Sequence, residues 1–137
     1  MIDYSQKWES IHLRGIQSAY GKAPFFEYFF PYFESALIKR PEKLWDLNWE
    51  LLTICLKLLK SNVKLVKSKS HIDLTEVEDI RAQIVPKASF SSRSYYTPVI
   101  YSQLFGLDFE PNLSVVDLLF CEGPAAKNII LNSVKKQ

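Results

Sequence analysis

Glycine, histidine and cysteine are scarce in this chain of 137 residues, which has four glycines, two histidines and two cysteines. With so few glycines and neither a GxxxxGK nor a GxGxxG pattern, a glycine-rich phosphate loop is excluded, and the GxSxG pattern of a nucleophile elbow is also missing. The histidines and cysteines lack the spacing of zinc ligands, so we predict no metal site. No cofactor is indicated by any motif.

Long apolar runs are also missing. No run reaches the roughly 18 residues that span a bilayer, and no charged-then-apolar leader begins the chain. Cys55 and Cys121 both lie in apolar periodic segments, where free thiols behave as small core side chains. These features predict a cytoplasmic protein without a membrane span.

Charge of one sign is not in excess, since the net charge is only +2. Five lysines fall between Lys57 and Lys69, and we interpret this run as a solvated surface, because no motif of basic and aromatic residues accompanies it. Nucleic acid is therefore not the expected partner. RNA binding through the lysine run is kept as a minor alternative, and it would weaken steeply with salt.

Hydrophobic residues make up 47% of the chain, and their spacing predicts a mainly α-helical fold with one or a few short β-strands. The clearest helix is predicted over residues 46–60, capped by Asp46 or Asn48, where leucines recur on one face. Residues 63–67, VKLVK, alternate as a strand does. We expect a single compact domain over residues 1–137, a length typical of one domain.

Caps and prolines predict the bounds of the other elements. Further helices are expected over residues 6–20, 24–30, 31–39 and 125–134, between Thr75 and Pro86, and between Ser114 and Gly123, with a weak strand near 99–104 and a linker at 85–95. Ser5 is the expected N-cap of the first helix, and Gly21 is expected to end it in a left-handed conformation. Pro31 is expected to interrupt its helix because it lacks an amide donor.

His12 lies four residues after Trp8, so the two side chains share a helix face, and Gly15 beside them would allow another backbone to approach closely. Two interpretations stay open. His12 is either packed at the edge of the core with one hydrogen bond, or it binds a ligand and acts as a general acid or base, since imidazole changes charge near neutral pH.

The segment EPNLSVVDLLFCEGP, residues 110–124, contains one aspartate in an apolar run. If Ser114 is the N-cap, Asp117 is the third helical residue, and the pair forms an aspartate version of a capping box. A capping role at the start of a helix thus accounts for the presence of Asp117 without a catalytic role. An active role for its carboxylate stays open.

Four segments of the chain resemble the bacterial WbqC-like family, in the same order and at similar spacing, between Ile2 and Pro124. They are KWESIHLRGIQSAYGKAPFFEYF, LWDLNWELL, DIRAQIVPK and YSQLFGLDFEPNLSVVDLLFCEGP. The last segment is the most specific, because it joins Tyr101-x-Gln103 to a Pro-Asn-Leu-Ser turn and an Asp-Leu-Leu-Phe run.

The resemblance implies a role in surface polysaccharide (O-antigen) biosynthesis, as a transferase that modifies an activated sugar, with a nucleotide sugar or another small molecule as ligand. It carries over seven polar positions: His12, Tyr20, Tyr101, Gln103, Asn112, Ser114 and Asp117. We expect the first to be catalytic and the next three to bind the substrate. The last three are expected to build the turn and helix beneath the pocket.

The chain departs from the family pattern in two ways. Cys121 stands where the family more often has asparagine, and Met1 falls in the middle of the family's length. We therefore expect the C-terminal portion of a WbqC-like protein, and whether it is an enzyme stays open. The alternative is a non-catalytic module that binds a protein partner of the same pathway or a second copy of itself, through an exposed apolar patch.

Overall fold

The structure, a computed structural model, describes residues 1–68, 96–106 and 108–134. These ranges hold five α-helices: α1 (Trp8–Tyr20), α2 (Phe26–Ile38), α3 (Leu44–Leu58), α4 (Val115–Glu122) and α5 (Ala126–Asn132), with a short 3-10 turn, Gly123–Ala125, before the last. The predicted mainly helical class is confirmed. None of the helices in these ranges has the length and hydropathy that a bilayer crossing requires.

The start of α1 differs from the prediction. Lys7 occupies the N-cap position without a side-chain bond, whereas the amide of Ser5 donates to Asp3 Oδ1 at 2.8 Å. Gly21 follows the helix as predicted, but its φ of −59° is right-handed. Its amide donates to Gln17 O at 2.9 Å, so the last turn simply continues the helical hydrogen bonding.

The predicted break at Pro31 is wrong, because α2 continues through it. Phe26, Phe30 and Phe33 recur at helical spacing and are buried on one face, while Pro31 itself is exposed. Burial of these three rings outweighs the roughly 3 kcal/mol that an internal proline costs a helix.

The helix α3 starts two residues before the predicted position, with Lys43 as N-cap in place of Asp46 or Asn48. Asp46 lies in the first turn, where a negative charge interacts favourably with the helix dipole. Leu47 and Leu58 are buried, and Leu51 and Ile54 pack on the same core. The leucine pattern therefore identified the helix and its core face correctly.

Neither predicted strand forms. Residues 61–68 have no strand pairing, and within the described ranges the β-structure consists of one isolated antiparallel bridge, Tyr96 with Val134. Instead, the last lysine of VKLVK contacts two aromatic rings. Lys67 Nζ lies 4.3 Å from the ring centre of Trp45 and 5.1 Å from that of Trp49. Residues 69–95, with the predicted helix after Thr75 and the predicted linker, lie outside the described residues.

The core surrounds α4. Phe120 is fully buried, and its ring centre lies 5.3 Å from that of Tyr20, 5.2 Å from Phe26 and 5.7 Å from Phe33. The predicted bounds of this helix are confirmed: Ser114 Oγ accepts a hydrogen bond from the amide of Val116 at 3.3 Å, and the helix ends at Gly123. In this helix the cap at Ser114 and the end at Gly123, both predicted from the sequence, occur together with the complete burial of Phe120.

We predict that Gly123→Ala destabilises the protein by about 2 kcal/mol or more. Gly123 has a φ of +52°, which disfavours a side chain, and a Cβ atom would lie 2.5 Å from the ring of Phe25. Gly15→Ala is the matched control, since no atom lies within 4 Å of a Cβ there, contrary to the close approach expected from the sequence. It should stabilise α1 by up to roughly 1 kcal/mol. Urea unfolding of both variants measures the difference, and equal effects would contradict the prediction.

Candidate functional site

The most polar part of the protein interior is the carboxyl group of Asp117, whose side chain is fully buried. Its Oδ2 atom accepts a hydrogen bond from the Tyr101 hydroxyl at 2.5 Å and a long one from Gln103 Nε2 at 3.4 Å. Its Oδ1 atom is buried without a hydrogen-bond partner among the described residues. A buried acceptor without a partner costs free energy, which makes this carboxyl group a candidate for function.

Gln103 fixes the loop that carries Tyr101. Its Nε2 atom donates to Glu110 O at 2.9 Å and to the Tyr101 hydroxyl at 3.2 Å, while its Oε1 atom accepts from the Glu110 amide at 2.8 Å. Both polar ends of the side chain are thus used within the protein. Gln103 orients the phenol of Tyr101 and binds the backbone of Glu110. This role differs from the expected contact with a substrate.

The ionisable side chains around Asp117 are stabilised in their protonated, neutral forms. Burial raises the pKa of Tyr20 to about 12 and that of Cys121 to about 11, and the negative charge of Asp117 acts in the same direction on both. Burial likewise raises the pKa of the Tyr101 hydroxyl, helped by its hydrogen bond to Asp117. The two phenols therefore keep their protons at neutral pH, and Tyr101 acts as a hydrogen-bond donor to the carboxylate.

A cavity of about 280 Å³ adjoins this network. Tyr101 belongs to both the network and the cavity wall, and Asn112 and Ser114 also line the wall. Asn112 has a φ of +62°, a left-handed conformation that asparagine tolerates and that turns the chain into α4. The structure thus brings Tyr101, Asn112 and Ser114 to one cavity, as the family pattern had placed them in one sequence segment.

His12 lies at a different place. It lines a second, apolar groove of about 430 Å³ with Trp8, Leu47 and other residues of α1 to α3, and this groove shares no lining residue with the first cavity. The His12 ring is exposed, its Nδ1 atom is 2.8 Å from Trp8 O, and it packs edge-on against the Trp8 ring. A catalytic role for His12 stays a prediction, separate from the Asp117 network.

Asp117 has more contacts than its interpretation as a capping residue implies. Its carboxylate accepts from Tyr101 and Gln103, and no bond returns to the Ser114 amide in the described part of the chain. The sequence signal for this burial was the apolar run VVDLLFC, in which five consecutive residues, Asp117 to Cys121, are buried. Among the described residues, no group of three or more His, Cys, Asp or Glu side chains is arranged to hold a metal ion.

Comparison with known proteins supports the family resemblance. The WbqC-like protein family matches the chain over residues 1–99. The matched range includes His12 and Tyr20 and ends before Tyr101, Gln103 and the segment that carries Asp117. No curated protein and no solved structure matches the chain.

We predict that Tyr101→Phe lowers the free energy of unfolding by about 1.5–3 kcal/mol, the usual contribution of a hydrogen bond to a charged group. The substitution removes the donor to Asp117 Oδ2 and leaves the ring in place. Tyr28→Phe is the control, since Tyr28 is 71% exposed, and should change the free energy by no more than about 0.5 kcal/mol. Chemical unfolding of both variants tests this, and a loss below about 0.5 kcal/mol for Tyr101→Phe would refute the network.

Stability should also fall at alkaline pH. The unfolded chain releases the proton of Cys121 near its ordinary pKa of 9.0 and that of Tyr20 near 10.0, whereas the folded chain holds both to about pH 11 and 12. Above pH 9 the unfolded state therefore binds fewer protons, and the free energy of unfolding falls as pH rises.

Urea unfolding between about pH 8 and pH 12 measures this fall. Tyr101→Phe removes one of the late-ionising phenols, so the fall should be shallower in that variant than in wild-type protein. An identical pH dependence in the two proteins would show that Tyr101 contributes nothing to it.

Proposed function

Because the chain belongs to the WbqC-like protein family, we propose that it takes part in bacterial surface polysaccharide biosynthesis and modifies a hydroxyl group of an activated sugar. The observation that carries this proposal is the position of Tyr101, which lies in the cavity wall and donates to a fully buried carboxylate. Such a pair links a ligand in the cavity to a proton acceptor shielded from solvent.

In this proposal the pair moves one proton. A sugar hydroxyl in the cavity donates to the phenol oxygen of Tyr101, and the proton of Tyr101 moves to Asp117 Oδ2 as the sugar oxygen bonds to the electrophilic atom of an activated group donor. The bond between that atom and its leaving group breaks, the leaving group takes the electron pair, and Asp117 then returns the proton through Tyr101 to the leaving group. Gln103 Nε2, 3.2 Å from the Tyr101 oxygen, keeps the phenol aligned during the transfer. Tyr20, whose raised pKa reflects burial and the charge of Asp117, stays neutral beside the carboxylate.

The predicted substrate contacts of Tyr20 and Gln103 are revised accordingly. We propose that Tyr101 contacts the substrate, that Gln103 and Tyr20 act through Tyr101 and Asp117, and that Asn112 and Ser114 form the cavity edge. We also propose that residues 1–137 form a single domain, since the described helices share one core.

A thermal unfolding scan with nucleotide sugars tests the proposal. At a concentration of about 100 times the dissociation constant, a bound nucleotide sugar adds roughly 2.7 kcal/mol of stability, so the melting temperature should rise by several degrees. We expect Tyr101→Phe to lose most of this rise, and Tyr28→Phe to keep it.

His12→Ala separates the two candidate places in this scan. If the sugar binds at Tyr101, the rise in melting temperature is unchanged in His12→Ala, because His12 lines the other groove. If only His12→Ala loses the rise in melting temperature, the sugar binds in the His12 groove. If no nucleotide sugar raises the melting temperature of wild-type protein, the proposal is wrong.

A second candidate function is a binding module without catalysis, favoured by the outer side of α3. This helix exposes Trp45 and Leu52 by 49% and 47%, although it already packs on the core through Leu47 and Leu58. A helix that is apolar on two sides usually contacts protein on both.

The oligomeric state tests this second candidate. We expect wild-type protein to form a dimer at high micromolar concentration if a second copy covers the face, and the double variant Trp45→Ser, Leu52→Ser to remain a monomer. Sedimentation equilibrium measures both, with Ile130→Ser, on α5, as the control. A wild-type monomer at all concentrations would rule out self-association through α3.

A further inference from the structure

The cavity beside Tyr101 has apolar walls from three parts of the chain. Val99 comes from the segment before Tyr101, Leu113 from the turn before α4, Val115 from the first position of α4, and Ile129 and Ile130 from α5. One end is closed by the backbone, where the Thr97 amide donates to Ser133 O at 2.8 Å and Tyr96 bridges to Val134. The segment that carries Val99 is thus joined to the end of α5 by backbone pairing.

These walls differ from the closed core. Leu113 is 37% exposed and Ile130 is 36% exposed, although Leu118 between them is buried. An apolar cavity of about 150 Å³ is large enough to bind the six carbon atoms of benzene, so a cavity of about 280 Å³ has room for roughly 11 carbon atoms, or for six to eight together with a small polar group. Apolar side chains that remain half exposed around such a space gain stability when a ligand covers them.

The polar groups at the cavity are neutral. Ser133 Oγ already donates to Ile129 O at 2.8 Å, and Ser114 Oγ caps α4. Asn112 is exposed at the edge of the cavity, and in the described part of the chain its carboxamide has no hydrogen bond. A carboxamide both donates and accepts, which suits a hydroxyl or amide group and gives no preference for a charged one.

We propose that this cavity binds an aliphatic chain of about six to eight carbon atoms carried by the ligand, with the neutral polar group next to the chain held at Asn112. The ligand is thus an alkyl- or acyl-bearing sugar. The sugar part of this inference rests on the proposed function, whereas the aliphatic part rests on the cavity walls alone.

Two glucosides that differ only in the chain test the inference. Isothermal titration calorimetry with hexyl glucoside, below its micelle concentration, should give saturable binding to wild-type protein. Methyl glucoside carries the same head group and should bind at least about tenfold more weakly, because it leaves the walls uncovered. Equal binding of the two glucosides, or no saturable binding of hexyl glucoside, would overturn the inference.

Variants on α5 locate the binding. Ile130→Trp places a large ring in the cavity and should weaken hexyl glucoside binding by about tenfold or more. Leu131→Trp is the matched control on the same helix, since Leu131 is 60% exposed and lies outside the cavity wall, and it should bind as wild-type protein does. Unchanged binding in Ile130→Trp would place the chain elsewhere and overturn the inference.

Two further comparisons separate a folding defect from a loss of binding, and this inference from the proposed function. If Ile130→Trp does not fold, Leu113→Trp fills the cavity from the opposite wall and must show the same loss. If hexyl glucoside binds in the cavity while no nucleotide sugar shifts the melting temperature, the inference stands and the proposed function fails. If nucleotide sugars bind and hexyl glucoside does not, the proposed function stands and this inference fails.

Discussion

The aromatic cluster around the buried Phe120 holds α1, α2 and α4 together. The Phe120 ring packs against Tyr20 of α1 and against Phe26 and Phe33 of α2, and its carbonyl accepts the Phe25 amide at 3.0 Å. A helix of eight residues such as α4 is not stable alone, so its stability comes from this packing. Helix α1, helix α2 and the residue before α2 therefore all contact Phe120.

The same burial creates the candidate site. Asp117 lies one helical turn before Phe120, so packing that ring inside the protein also carries a carboxyl group out of water. A buried carboxylate is costly unless hydrogen bonds compensate it. Tyr101 and Gln103 supply that compensation, and Gln103 also binds the backbone of Glu110. The positions of Tyr101 and Gln103, and with them part of the cavity wall, therefore depend on the hydrogen bonds to Asp117.

Predictions from the sequence succeeded where the signal was local. Ser114 caps α4 and Gly123 ends it, since both effects act within one helical turn. They failed where a distant contact outweighed a local preference. Aromatic burial carries α2 through Pro31, and VKLVK forms no ladder because strand pairing needs a second strand. Asp117 satisfies a local capping pattern, yet its carboxylate pairs with a residue 16 positions away.

Hydrophobic spacing, caps and motif order are properties of neighbouring residues, and they were sufficient to predict the helical class, the core face of α3, the ends of α4 and the family. Which polar residues meet depends on how distant segments pack. The tertiary structure joined Tyr101 to Asp117 at an apolar cavity and left His12 beside another groove. The physical reason is that burial of Phe120 selects the neighbours of Asp117, and no pattern along the chain records the distance between segments that pack together only in the folded protein.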